Sequence, residues 1–149
     1  TVLGYIDSGK KEGATLVAGG ERADIGTGKG YFVQPTVFAD VRPEMKISRE
    51  EIFGPVLATI EFADLDEAIA KANDTPYGLA AGVWTRDIKK AHYVARKLQA
   101  GTVWVNTYNV YDTAAPFGGY KQSGFGREMS AHALQHYTQV KSVWVDLNM

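Results

Sequence analysis

Between Pro55 and Asn106 the chain alternates between two hydrophobic periods, and this alternation constrains the fold more than any other feature. The stretch "PVLATIEF" is a mostly apolar run, the pattern of a strand covered on both faces. "DLDEAIAKAN" follows, with Leu65, Ala68, Ile69 and Ala72 spaced i, i+3, i+4, i+7 along one helical face. Asp64 and Glu67 form a capping-box pattern at its start. After the turn "DTPYG" comes the strand-like "LAAGVWT". "RDIKKAHYVARKLQ" then puts Ile88, Ala91, Ala95 and Leu98 on one stripe, with Gly101 as a C-terminal stop. "TVWVN" completes the series. Strand, helix, strand, helix, strand at this spacing calls for right-handed crossovers and a parallel sheet, so the expected class is α/β.

The flanks are less regular. Leu3 and Ile6 already have helix-interior spacing with no lead-in before Thr1, the pattern expected of a piece of a longer chain. "TLVAGG" reads as a short strand ending in a Gly-Gly turn, and "ERADIGTGKG" as a loop. "YFVQPTVF" is strand-like, with Pro35 placing it near an edge or bulge. "SREEIFGP" suggests one helical turn stopped by Gly54-Pro55. Beyond Asn106 a long loop runs to Arg127, followed by the helix-like "EMSAHALQHY" and the strand-like "TQVKSVWVDL".

Composition narrows the classes of function. The chain has 149 residues, 45% of them hydrophobic, and a formal net charge of -1, an ordinary globular balance. There is no basic surplus to favour nucleic acid, and Lys10-Lys11 and Lys89-Lys90 read as solvated faces. No apolar run reaches bilayer length and no signal-peptide pattern is present, so no membrane partner is expected. Cysteine is absent, which removes disulfides, thiolate metal sites and a Cys nucleophile from this chain. A reducing, cytoplasmic setting is the expectation that fits.

Several stretches could carry chemistry. "PFGGYKQSGFGRE" sets glycines beside Lys121 and Arg127, as a phosphate cradle would, but matches neither G-x-x-x-x-G-K-[ST] nor G-x-G-x-x-G. In open α/β sheets ligands bind beyond the carboxyl ends of the strands. "TVWVN" feeds there into a loop with Tyr108, Tyr111, Phe117 and Tyr120 and one acid, Asp112. Those aromatics either line an apolar pocket or anchor the loop to the core, and spacing alone leaves both open. His132 and His136 share a helical spacing but lack a Glu between them and a third ligand, so no metal is expected. Glu50 and Glu51 are adjacent carboxylates, and Ser48 with Glu51 also matches a capping box.

Taken together, "EEIFGPVL", "NDTPYGLAAGVWTRD", "GTVWVN" and "PFGGYKQSGFGRE" resemble the C-terminal part of the NAD(P)-dependent aldehyde dehydrogenase superfamily. The likeness extends over nearly the whole chain. It is nearest to broad-specificity members ending in a Y-T-x-V-K strand, here "YTQVK" from Tyr137 to Lys141. The resemblance implies a three-layer, parallel-sheet portion of the catalytic domain in residues 1–137 and an oligomerisation strand in 138–149. Glu51 is similar to the acid that holds the nicotinamide ribose hydroxyls, and Phe53 to the aromatic beside the nicotinamide. Tyr111 and Phe117 correspond to aromatics of the aldehyde entrance, with Tyr111 where the family often has Phe. Glu128 matches a carboxylate thought to assist proton movement. The implied cofactor is NAD, or NADP in some members. The implied partners are a small-molecule aldehyde, the rest of the parent chain and further copies of it, as a dimer or tetramer through 138–147. The Gly-rich stretch would shape the substrate wall with no phosphate role.

Family chemistry needs a Cys thiolate that attacks the aldehyde, hydride transfer to the nicotinamide, and a Glu base for hydrolysis of the thioester. The Cys is missing here, and the motifs of the base and the oxyanion Asn have no match. The expectation is therefore a piece of such an enzyme, inactive alone. The rivals are a non-catalytic assembly or interaction module of the same fold and a small phosphate-binding protein using Gly124 to Arg127.

Overall fold

The computed structural model describes residues 1–148 and divides into two compact units, Thr1–Lys71 and the remainder from Ala72. The first unit opens with helix α1, Val2–Glu12. Gly13 ends it in the left-handed region at φ 90°, where its N–H and that of Ala14 reach back to the Lys10 and Gly9 carbonyls. Strand β1 (Thr15–Ala18) pairs antiparallel with β2 (Thr36–Ala39), and β2 pairs in parallel with β3 (Val56–Ala58). Pro35 lies just ahead of β2, so it costs the ladder no donor, and the β1 register slips between Leu16 and Ala18. Ile6, Phe38, Met45 and Ile47 form the core between α1 and this sheet.

Helix α2 spans only Lys46–Arg49, and α3 spans Leu65–Asn73. The expected capping box on α3 is present with a shift of one residue. The Asp64 carboxylate accepts the Glu67 N–H at 2.9 Å, while the Glu67 carboxylate reaches past Asp64 to the N–H of Ala63 at 2.6 Å.

In the second unit β4 (Ala80–Val83) and β5 (Thr102–Val105) pair in parallel through α4, Ile88–Lys97. Asp87 caps α4 by accepting the N–H groups of Lys89 and Lys90. Its buried face is Ala91 with Val94, and Ile88, expected on that face, is exposed. The helix ends because Leu98 turns extended, three residues before Gly101. Gly101 meets a different need: a Cβ there would lie 1.6 Å from the Gly118 carbonyl oxygen.

The α/β class and its parallel pairings hold, but β3, β4 and β5 do not share one sheet among the described residues: β3 pairs with β2, and β4 with β5. Hydrophobic period identifies a strand without naming its neighbour. The segment 128–137 is a 3-10 turn, Ala131–His136, because Met129 and Ser130 both take positive φ and block an earlier α-helical start. The strand expected at 138–149 forms no ladder among the described residues, which leave out Met149, and its apolar side chains lie in solvent, Trp144 at 94% exposure. Residues 138–148 do not fold back on either sheet. Among the described residues no helix is long and apolar enough to cross a membrane.

Candidate functional site

The segment after α2 is held by the end of α1. The Glu12 carboxylate accepts the N–H of Lys46, first residue of α2, at 2.7 Å, and it also accepts the Ser8 hydroxyl. Arg42 donates to the Glu12 carbonyl at 3.0 Å. The Ser8 hydroxyl foremost, then the Lys46 N–H, holds the Glu12 carboxyl below its ordinary value; burial opposes this, and the nearby Lys46 and Arg42 charges add a lesser push in the lowering direction. One carboxylate thus joins α1 to α2 and sets where the following residues begin.

Glu50 is extended, and the chain turns tightly at Phe53, where the Gly54 N–H donates to the Ile52 carbonyl at 2.7 Å. Glu50 accepts the Tyr5 hydroxyl at 2.8 Å and lies 3.8 Å from the Lys46 ammonium. Ile52 packs against the core. Glu51 and Phe53, on either side of Ile52, are both exposed, Phe53 at 90%. Among the described residues Glu51 makes no hydrogen bond or ion pair. The capping reading of Ser48 and Glu51 fails, because Ser48 sits inside α2 and donates its own N–H to Met45. Gly54 follows, where a Cβ would come within 2.7 Å of Val2 on α1.

The second group of residues starts at the carboxyl end of β5 with Asn106 and returns with Phe117 to Tyr120 against Gly78 and Gly101, ahead of β4 and β5. Asn106 leaves β5 at φ 55°, and its amide exchanges two hydrogen bonds with the Thr85 backbone, at 2.8 and 2.9 Å. This clamp was not singled out from sequence, although Asn directly after a strand is a residue that tolerates left-handed backbone. Trp104 on β5 is buried, and its indole N–H donates to the Val110 carbonyl at 2.8 Å. Tyr108 and Tyr111 meet its ring edge-on at 4.9 and 5.5 Å, and Phe117 meets Tyr111 at 5.2 Å. The aromatics therefore anchor the loop, and Tyr108 and Tyr111 still present part of their surface to solvent. The Tyr111 hydroxyl donates to the Asn109 side chain at 2.7 Å, so it serves the loop's own conformation.

The cations of the Gly-rich stretch are turned toward this chain's own backbone. The Lys121 ammonium donates to the Asn73 and Thr75 carbonyls, and the Arg127 guanidinium to the Gly119 and Gly126 carbonyls. The phosphate-cradle reading is dropped on that ground. Phe117 and Glu128 face each other in an antiparallel bridge that closes the loop, and the Glu128 carboxylate is exposed. His132 and His136 are exposed, and the His136 Nε2 accepts the Arg127 N–H at 3.2 Å. Among the described residues no group of three or more His, Cys, Asp or Glu could hold a metal ion.

Comparison with known proteins gives a consistent result. The model of the "Aldehyde dehydrogenase family" matches residues 1–143. The DhaS protein of Bacillus subtilis is 62% identical over 146 residues, covering 98% of this chain and 29% of that protein. A betaine aldehyde dehydrogenase of Brucella anthropi is 56% identical over 147 residues, 98% of this chain and 30% of its own. Among solved structures, the NAD+ complex of an aldehyde dehydrogenase from Bacillus cereus superposes with a TM-score of 0.92 at 61% identity. It covers 99% of this chain and 29% of that one. The chain thus spans about 30% of the length of the curated relatives it matches.

Proposed function

The chain belongs to the aldehyde dehydrogenase family, and from that premise we propose that it is the C-terminal part of an enzyme that oxidises an aldehyde to a carboxylic acid with NAD. The relative from Bacillus cereus is an NAD+ complex, and another relative is named for betaine aldehyde; here the substrate class is an aldehyde and the cofactor NAD, or NADP. The thiolate nucleophile must come from outside these residues, since they contain no cysteine.

The donor chemistry of the first unit fits one end of a dinucleotide. Glu51 is an acceptor-only group with no protein partner among the described residues, suited to a pair of ribose hydroxyls. Phe53 offers an exposed ring two residues on, suited to a planar heterocycle. Bound NAD supplies the hydride acceptor; Glu51 and Phe53 orient its reacting end. In the second unit Tyr111 and Phe117 give an apolar wall for an aldehyde, and Glu128 is a carboxylate in position to accept or pass a proton at its solvent face. Residues 138–147 serve assembly with further copies, in a cytoplasmic enzyme.

The observation that carries this reading is Glu51: a carboxylate on the segment that follows the pinned start of α2, with its acceptors unused near an exposed aromatic. In the full-length enzyme Glu51→Gln should lower kcat by about ten- to a hundredfold through misplacement of the reacting ring, with the melting temperature unchanged. A lowered melting temperature with unchanged kinetics would show that Glu51 is structural and overturn the assignment.

A further inference from the structure

We propose that His136, acting through Arg127, is a positioning residue for the loop from Phe117 to Glu128; its consequence for catalysis rests on the aldehyde-facing role given to that loop above. The loop is closed at its ends by the Phe117–Glu128 bridge, and its tip is tied down by the Tyr120 and Gln122 N–H groups, which donate to the Gly78 and Pro76 carbonyls at 2.8 and 2.9 Å. Arg127 ties the two arms of the loop to each other. Its guanidinium donates to the Gly119 carbonyl at 3.0 Å and to the Gly126 carbonyl at 2.6 Å, taking hold of both arms of the loop, and it lies 5.4 Å from the centre of the Tyr120 ring.

What orients Arg127 in turn is His136. Its Nε2 accepts the Arg127 backbone N–H at 3.2 Å. Its ring lies so close to Gly126 that a Cβ there would fall 2.3 Å from the imidazole Cε1, and Gly126 takes φ 80° to allow the approach. The imidazole therefore does two things at one point: it satisfies the N–H of Arg127 and fills the space against the backbone before it. The 3-10 turn carrying His136 is fixed independently, by the Ser130 N–H donating to the Thr113 carbonyl at 2.8 Å. Loss of the imidazole would release the Arg127 N–H, loosen the guanidinium's grip on the two carbonyls, and soften the backbone next to the Phe117–Glu128 bridge that sets the Phe117 ring.

The test uses the full-length enzyme with His136→Ala and with His136→Gln, whose amide oxygen can take over the acceptor role. Hydrogen-exchange mass spectrometry on the peptide covering residues 118–130 is read beside steady-state kinetics and NAD affinity. His136→Ala should speed exchange in that peptide by about tenfold, the loss of one hydrogen bond's worth of protection. It should raise KM for the aldehyde severalfold with NAD affinity unchanged, and His136→Gln should restore both. Exchange equal in all three proteins would overturn the lock, and faster exchange without a change in KM would overturn its bearing on substrate. A wild-type enzyme that oxidises no aldehyde would refute the proposed function instead, while exchange would still decide the lock.

Discussion

Phe117 and Glu128 exchange two backbone hydrogen bonds, 2.9 Å from the Phe117 N–H and 2.7 Å from that of Glu128. In an antiparallel pair of this kind the two side chains leave the same side of the bridge. An apolar ring and a carboxylate eleven residues apart are thus set next to each other by main chain alone. The pairing survives any change in either side chain, so the two can be altered singly without opening the loop.

That separation gives a direct expectation for Phe117→Ala. The substitution removes the edge-to-face contact with Tyr111, a loss of about 1 kcal/mol beyond the buried area. In the full-length enzyme KM for the aldehyde should rise more than kcat falls, and denaturant unfolding should show only the modest loss of stability. A collapse of kcat at constant KM would place Phe117 elsewhere in the reaction.

Acid should weaken the start of α3. The Ala63 N–H first, then the Lys71 ammonium, holds the Glu67 carboxyl below the ordinary glutamate value of 4.5, against slight opposition from burial. A carboxyl with a depressed folded pKa stabilises above the unfolded value and loses that contribution as pH falls through the folded one. Stability should therefore decline as pH drops below about 4.5, and Glu67→Gln should flatten that part of the profile followed by circular dichroism. Identical acid profiles for the two proteins would remove Glu67 from the account.

The 149 residues alone should oxidise no aldehyde and should bind NAD no more tightly than about millimolar, since only Glu51 and Phe53 are offered to one end of it. Calorimetry on the isolated chain measures this directly. Micromolar binding would mean that the chain holds cofactor contacts beyond those two.

Assembly should depend on the exposed tail. Val143, Val145 and Leu147 alternate with Trp144, so an extended 138–147 carries apolar surface on both faces and unpaired backbone groups along its length. Removing everything after Tyr137 from the full-length enzyme should give smaller species in light scattering. An oligomer of unchanged mass would exclude the tail as the joining element.

The parts of the fold legible in the sequence were those written in local chemistry. Asp64 with Glu67, and the α4 register through Ala91, follow from side chains and periods within one helix. The parts misread were long-range. Ser48 looked like a cap because its spacing to Glu51 is right, yet the helix had already started at Lys46 through a carboxylate from α1, 34 residues earlier in the chain. Gly101 looked like a helix stop because glycine does that often, while its real neighbour is the Gly118 carbonyl, which no local pattern reveals. An apolar alternation is legible at 138–147, but a strand needs a partner edge, and nothing in these residues supplies one. For the site, Glu51, Phe53, Tyr111, Phe117 and Glu128 are legible through resemblance, while the Asn106 clamp and the His136 contact join residues separated in the chain and have no local signature.

The approach of Gly101 to Gly118 also limits how this sequence can change over generations. The obstacle at position 101 is a backbone oxygen, which has no rotamer to yield, so every one-step mutation that adds a side chain there meets the same wall. Escape requires the loop to be rebuilt first, by insertion or deletion near 118, before the glycine can be given up. The order of events is imposed: position 101 stays glycine until the loop at 118 has itself been replaced.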